Sequence, residues 1–235
     1  MTRSAFNSRW IWFVVLFVAS VFVAVLYQSN GRIQNVIWAD QEGYFIYLPA
    51  VFIHHGFTDV PCNNGCTFIE SDNGTKTFTK YTCGVALLQS PFFLAANALA
   101  EPLGFEKNGR SKPYIYSIII AAIFYLLVGL WLIAKLLADF TTKRWLVWLI
   151  PLGVLFGTNL FHYVFREPGM SHIYSFALMS FLLYGSHKRM HSDRKFWLCG
   201  TAVSLALIIL IRPTNLIAIL IPLLWNTGSL SDIRK

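Results

Sequence analysis

The sequence predicts an all-α integral membrane protein of the multi-pass kind, with about six transmembrane helices and two more helices lying along the outer face. Three observations carry that expectation. Of 235 residues, 56% are hydrophobic, 16% aromatic and only 13% charged, which is about half the charge of an average soluble domain. The mean hydropathy is +0.55. Apolar runs of roughly membrane-crossing length alternate with short segments that hold most of the charge. The net charge of +8 therefore reads as topology information and not as a nucleic-acid footprint, because long apolar runs interrupt the basic residues. The chain is expected to form one membrane domain over 1–235, with no room for a sizeable soluble domain.

Seven stretches are apolar enough to consider: 10–29, 84–100, 114–134, 145–163, 170–186, 196–211 and 213–227. The first is uncharged from Trp10 to Ser29. It is too long for the core of a cleaved signal peptide and no small-x-small site follows it, so it reads as a signal anchor. The segment 30–113 is the largest part outside the spans. It is expected to form an outer loop with one helix near 43–55, a cysteine-bearing stretch and a second helix at 84–100. Cys62 and Cys66 flank Asn63-Asn64-Gly65 and can close a small disulfide loop in an oxidising compartment. Cys83 is then left over and the pairing stays open. A zinc site would need four ligands at suitable spacing. Asn73-Gly74-Thr75 fits a glycosylation acceptor, a frequent chance match.

The stretch 84–100 decides the topology. If it crosses, Lys135, Lys143, Arg144 and the cluster Lys188, Arg189, Arg194, Lys195 fall opposite the N-terminus, against the positive-inside rule. If it lies on the surface, these join Arg3, Arg9, Arg234 and Lys235, giving eleven of the 19 basic residues inside and eight spread over longer outer loops. Gln89 and Pro91 within it also suit an interfacial helix. The expectation is six spans, both termini cytoplasmic, and 84–100 on the outer face. The basic run from His187 to Lys195 then lies against anionic headgroups of the membrane lipids.

Three polar islands share that outer side: Asp40-Gln41-Glu42, Arg166-Glu167-Pro168-Gly169-Met170-Ser171-His172, and Arg212-Pro213-Thr214-Asn215. Each has a plain reading. Asp40 can cap a helix with Glu42 favoured by its dipole, Arg166 and Glu167 can anchor at the interface beside a Pro-Gly turn, and Arg212 can snorkel to headgroups. Each also has a chemical one. A carboxylate of the first island can act as general base, and the guanidinium of Arg212 can hold a phosphate through paired, charge-assisted hydrogen bonds. Asp40, Glu42, Glu167, His162 and His172 can together gather a divalent cation, Mg²⁺ or Mn²⁺.

This order of residues resembles the GT-C class of membrane glycosyltransferases, and most closely the bacterial branch of protein mannosyltransferases and aminoarabinose transferases. The resemblance rests on Asp40-Gln41-Glu42-Gly43-Tyr44 after the first span. It rests also on Lys80-Tyr81-Thr82-Cys83-Gly84 leading into a helix with Pro91, on the segment 166–172, and on the position of Arg212. It implies sugar transfer from a polyprenyl-phosphate donor to a glycan, lipid or protein acceptor on the outer face of a bacterial inner membrane, with inversion. Asp40 and Glu42 would be the catalytic pair. Glu167, His172, Arg166, Arg212, Tyr44 and Lys80 would bind substrate, with Arg212 on the carrier phosphate. Class members are longer, so the chain is expected to be a short or truncated one, and a partner subunit can supply what it lacks. Two rivals remain: a non-catalytic subunit on the same scaffold that binds a polyprenyl lipid or a partner, and a small transporter. A transporter places ionisable groups at the midplane of its spans, whereas these cluster at one water boundary.

Overall fold

The computed structural model describes residues 18, 20–24, 26, 36–62, 68–70, 72–74, 76–192 and 194–225. Of the first apolar stretch, the described residues 18, 20–24 and 26 are helical, and Val21 and Ala24 pack on the main core. The remaining elements are α1 (Ala39–Phe45), α2 (Tyr47–Phe52), β1 (Phe68–Glu70), β2 (Lys76–Thr79), α3 (Gly84–Ala100), α4 (Lys112–Phe140), α5 (Arg144–Gly157), α6 (Leu160–Phe165), α7 (Ser171–Met190) and α8 (Lys195–Ile211). A 3₁₀ segment (Pro213–Ile219) and α9 (Leu220–Leu224) complete them. Among the described residues, one helix, α4, is long and apolar enough to cross a membrane, and α3, α5, α8 and the 213–224 segment are shorter apolar helices.

The 29-residue α4 is the central post. It packs most heavily against α7, which in turn packs on α8, while α3 lies along the N-terminal half of α4. Small residues permit the closest approaches. A Cβ on Gly129 of α4 would stand 2.5 Å from the Phe176 ring of α7. The core between α3, α4 and α7 holds Phe45, Phe93, Tyr114, Ile118, Ile119, Ile123 and Ile173, all essentially inaccessible. α4 and α7 run in the same direction, the start of α7 lying beside Tyr125 of α4. Gln89 of α3 reaches Tyr174 near the start of α7 at 2.8 Å. At the other end, Lys188 of α7 reaches Asp139 of α4 at 2.6 Å.

Several expectations need correction. The helix expected near 43–55 is two short ones, α1 and α2, meeting at Ile46. The stretch 145–163 is not one helix. It breaks at Thr158-Asn159 into α5 and α6, because the Thr158 hydroxyl takes over local backbone bonding, donating to the Val154 carbonyl at 2.7 Å and accepting from the Leu160 amide at 3.3 Å. The stretch 213–227 begins as a 3₁₀ turn after Pro213 and turns α-helical at Leu220. The loop 30–113 also carries an antiparallel hairpin, β1 with β2, registered Phe68 to Thr79, Ile69 to Phe78 and Glu70 to Lys76, so the fold is helical with one small exception. Cys62 is disulfide-bonded while Cys83 and Cys199 are free thiols. Cys66, one of the candidate partners, lies outside the described residues.

Candidate functional site

α1 starts after Trp38, whose extended backbone occupies the cap position without a side-chain cap hydrogen bond. Of the two readings of Asp40, the capping one is not the role it plays here. Ala39 takes φ 51°, a left-handed conformation that residues with a Cβ seldom adopt and that persists only where the surroundings hold it. The chain turns there sharply and presents Asp40 to the surface. The Asp40 side chain is exposed and accepts a 2.5 Å hydrogen bond from the Tyr81 hydroxyl at Oδ1. Among the described residues no lysine or arginine is within ion-pair distance of it.

Glu42, two positions on, faces the opposite way. Its side chain is 0% exposed and is ion-paired to Arg110, whose side chain is 19% exposed. Arg110 also donates to the Pro61 carbonyl at 2.6 Å. It is held in a turn where Asn108 accepts the amides of Arg110 and Ser111, each at 2.8 Å. The structure thus separates the expected catalytic pair: Asp40 looks outward and Glu42 inward.

Gln41, between them, ties α1 to the second island. Its Oε1 accepts the Gly169 amide at 2.8 Å. A Cβ on Gly169 would stand 2.8 Å from the Gln41 Cβ, so only glycine allows that approach. Tyr174 donates to the Pro168 carbonyl at 3.1 Å while accepting from Gln89, which pins the turn from behind. Within the island the His172 ring stacks on Tyr163, 3.7 Å between centroids and 4° between planes. His162 Nε2 lies 3.7 Å from the Glu167 carboxylate. Arg212 and Glu167 both lie within electrostatic reach of His172. The His172 Nδ1 and Ser171 hydroxyl are buried without a partner among the described residues, and orphaned buried polar atoms of this kind are uncommon. Arg166 is exposed.

The third island joins through the segment ahead of α3. Thr82 donates to the Ile211 carbonyl at 2.7 Å, and a Cβ on Gly84 would stand 2.6 Å from the Ile211 amide nitrogen. Arg212 follows directly in extended backbone. The Tyr81 ring lies 4.9 Å from the Tyr44 ring, with the Lys80 ammonium 4.9 Å over its own centroid. Burial, together with the Asp40 carboxylate it bonds, holds the Tyr81 phenol above its usual titration range.

Asp40, Tyr44, Lys80, Glu167, His172 and Arg212 are thus gathered at one end of the bundle, and Glu42 is turned away from them. Among the described residues no group of three or more His, Cys, Asp or Glu side chains is arranged to hold a metal ion. Three contributors escaped the sequence reading: Gln41, Arg110 and the hydroxyl of Tyr81. Gln41 had a signal, since a polar residue inside an acid-x-acid island must face somewhere. Arg110 had none, lying 68 residues from its partner. Comparison with protein families, characterised proteins and solved structures finds no match.

Proposed function

We propose that the chain is a multi-pass membrane glycosyltransferase that moves a sugar from a polyprenyl-phosphate carrier to an acceptor at the outer face of a bacterial inner membrane, both termini being cytoplasmic. The observation that carries this reading is that Asp40, exposed, oriented by the Tyr81 phenol and without an ion pair to lysine or arginine among the described residues, is tied through Thr82 to Ile211, the residue before Arg212. A carboxylate free of an ion pair, with a cation elsewhere on the same surface, is what a displacement at an anomeric carbon needs. Asp40 takes the proton from the acceptor hydroxyl or amine, whose heteroatom bonds to the anomeric carbon. The bond from that carbon to the carrier phosphate breaks, and its electron pair leaves with the phosphate, where Arg212 offsets the charge, assisted by Arg166. Glu167, His172, Tyr44 and Lys80 surround the sugar and the acceptor. Holding both reactants on one surface supplies the rest of the rate.

The membrane part of the reading is supported by where the large apolar side chains lie. Trp145, Trp148, Leu152 and Phe156 of α5, Phe196, Leu198 and Val203 of α8, and Leu216, Ile217 and Leu223 after it are all exposed, far more than a water-soluble monomer leaves uncovered. The segment 213–225 returns from Arg212 to Trp225, which neighbours His187 at the far end. A 3₁₀ stretch rises about 2.0 Å per residue against about 1.5 Å for an α-helix. This short segment therefore spans about what the 17 residues of α8 span. One observation favours a second reading, a non-catalytic subunit: only Pro151 of α5 is buried, leaving a bare face for a partner chain.

The test is donor turnover by the purified protein, read as release of polyprenyl phosphate from a panel of polyprenyl-phosphate-linked sugars. Asp40→Asn should lower turnover by about 100-fold or more, and assays with and without added Mg²⁺ or Mn²⁺ decide the cation. A wild type that turns over no donor, or an Asp40→Asn variant with full activity, overturns the reading.

A further inference from the structure

We propose that Tyr81 is a positioning residue for Asp40, seated in a notch made by Gly43, and that residues 80–84 form a strap fixing Asp40 relative to Arg212. The proposal rests on the glycosyltransferase reading and adds a residue and a device that it lacks. A carboxylate exposed on the first turn of a short helix has free rotamers, and each wrong one removes the base from the acceptor. The phenol of Tyr81 removes that freedom by occupying Oδ1 at 2.5 Å, which leaves Oδ2 to take the proton.

The phenol is itself held on four sides. A Cβ at position 43 would fall 2.0 Å from Cδ2 of the Tyr81 ring, so the ring lies flat across Gly43 of α1, one turn from Asp40. Tyr44 borders the ring and Lys80 covers it. The Tyr47 hydroxyl donates to the Tyr81 carbonyl, which fixes the backbone beneath. Thr82 and Gly84 then lock the same strap to Ile211, the residue before Arg212. The distance from base to phosphate ligand is therefore set by five consecutive residues whose anchors lie on α1, α2 and α8. Because its titration range is raised, Tyr81 stays a donor throughout the working pH range and does not compete with Asp40 for the acceptor proton.

Two variants release the same contact by different routes. Tyr81→Phe keeps the ring and loses the hydroxyl. Gly43→Ala keeps the hydroxyl and expels the ring. In the polyprenyl-phosphate-sugar turnover assay each should lower kcat by about tenfold to a hundredfold, as loss of a charge-assisted hydrogen bond does, with KM for the donor unchanged. The double variant should fall no further than either alone. An activity-free arm reads the phenol C–O stretch of Tyr81 in infrared difference spectra of the full chain in lipid nanodiscs, assigned with Tyr81→Phe. The band should move in Asp40→Asn and in Gly43→Ala. A band unmoved by Asp40→Asn, or a rise in KM with kcat retained, or additive losses in the double variant, overturns the proposal. Absence of turnover in the wild type strikes the glycosyltransferase reading alone, since the spectroscopic arm needs no chemistry.

Discussion

Replacing Arg110 with Ala should unfold the protein at markedly lower temperature, and replacing both members of the Glu42–Arg110 pair should restore most of the loss. The Glu42 carboxylate is wholly inaccessible and the Arg110 side chain is 19% exposed. Removing the cation takes the Arg110 charge away from a buried anion, a change that costs about 3–5 kcal/mol in buried pairs. For a chain of this size about 1 kcal/mol corresponds to about 2–4 °C, so the Arg110→Ala midpoint should fall by at least about 6 °C. Partial exposure of Arg110 favours the lower end. Glu42→Gln/Arg110→Met removes both charges and should recover most of that, since no charge is then left buried. The assay is thermal unfolding in one detergent, followed by intrinsic tryptophan fluorescence. If Arg110→Ala unfolds within a degree of the wild type, or Glu42→Gln abolishes donor turnover with an unchanged midpoint, then Glu42 acts in chemistry and its structural assignment is wrong.

Gly84→Ala should destabilise, because its Cβ would meet the Ile211 backbone nitrogen at 2.6 Å and no side chain can rotate away; a melting midpoint equal to wild type refutes the close contact. His187, one residue past the apolar stretch 170–186, is held below its ordinary value of 6.5 by burial first and by His191 and Lys188, against the opposing pull of Asp139. The folded state therefore prefers the neutral ring. As pH falls from 7.5 through 6.5, the unfolded chain binds a proton that the folded one refuses, and stability declines. His187→Gln should flatten the decline in melting midpoint between pH 7.5 and 5.5, and an unchanged slope sinks the assignment. Single cysteines at Lys107 and Arg194, in a background with Cys83 and Cys199 replaced, should be labelled from outside only at 107, and labelling of 194 in intact cells reverses the proposed topology.

Much of the helical frame was legible because charge marks its ends. Lys112 and the pair Lys143-Arg144 bracket α4 closely, and Ser171 and the basic run after Ser186 bracket α7. Where the break came from hydrogen bonding inside an apolar run, the reading failed: Thr158-Asn159 has no charge to announce it. The hairpin was visible in principle. Asp72-Asn73-Gly74 is turn chemistry, and Gly74 takes φ 74°, yet the same residues also spell a glycosylation acceptor. Of the site, the sequence gathered Asp40, Glu167, His172 and Arg212 on one side through the distribution of basic residues alone. Tyr44, Tyr174 and Ile211 at that gathering pack beside Ala121 and Tyr125 of α4, and the stretch of α4 from there to Asp139, about 21–27 Å at 1.5 Å per residue, keeps it apart from the Asp139–Lys188 end.

What the sequence left open was the division of labour within Asp40-Gln41-Glu42, and helical geometry settles it. Successive residues on an α-helix point about 100° apart, so positions i and i+2 lie on nearly opposite sides and do not face each other. Once the tripeptide is helical, its two carboxylates point to different sides of α1. Asp40 meets Tyr81 at the surface, Gln41 meets Gly169 on the neighbouring turn, and Glu42 meets Arg110 inside. Three consecutive side chains thereby anchor three segments that are far apart in the sequence: the strap before α3, the turn before α7, and the turn before α4. An adjacent Asp-Glu pair would set its acids about 100° apart and leave both near one face. With Gln41 between them, the second acid is a structural partner of Arg110 and Asp40 is the one carboxylate of the tripeptide at the surface, so under the proposed function Glu167 and His172 are the groups at that end left to assist it.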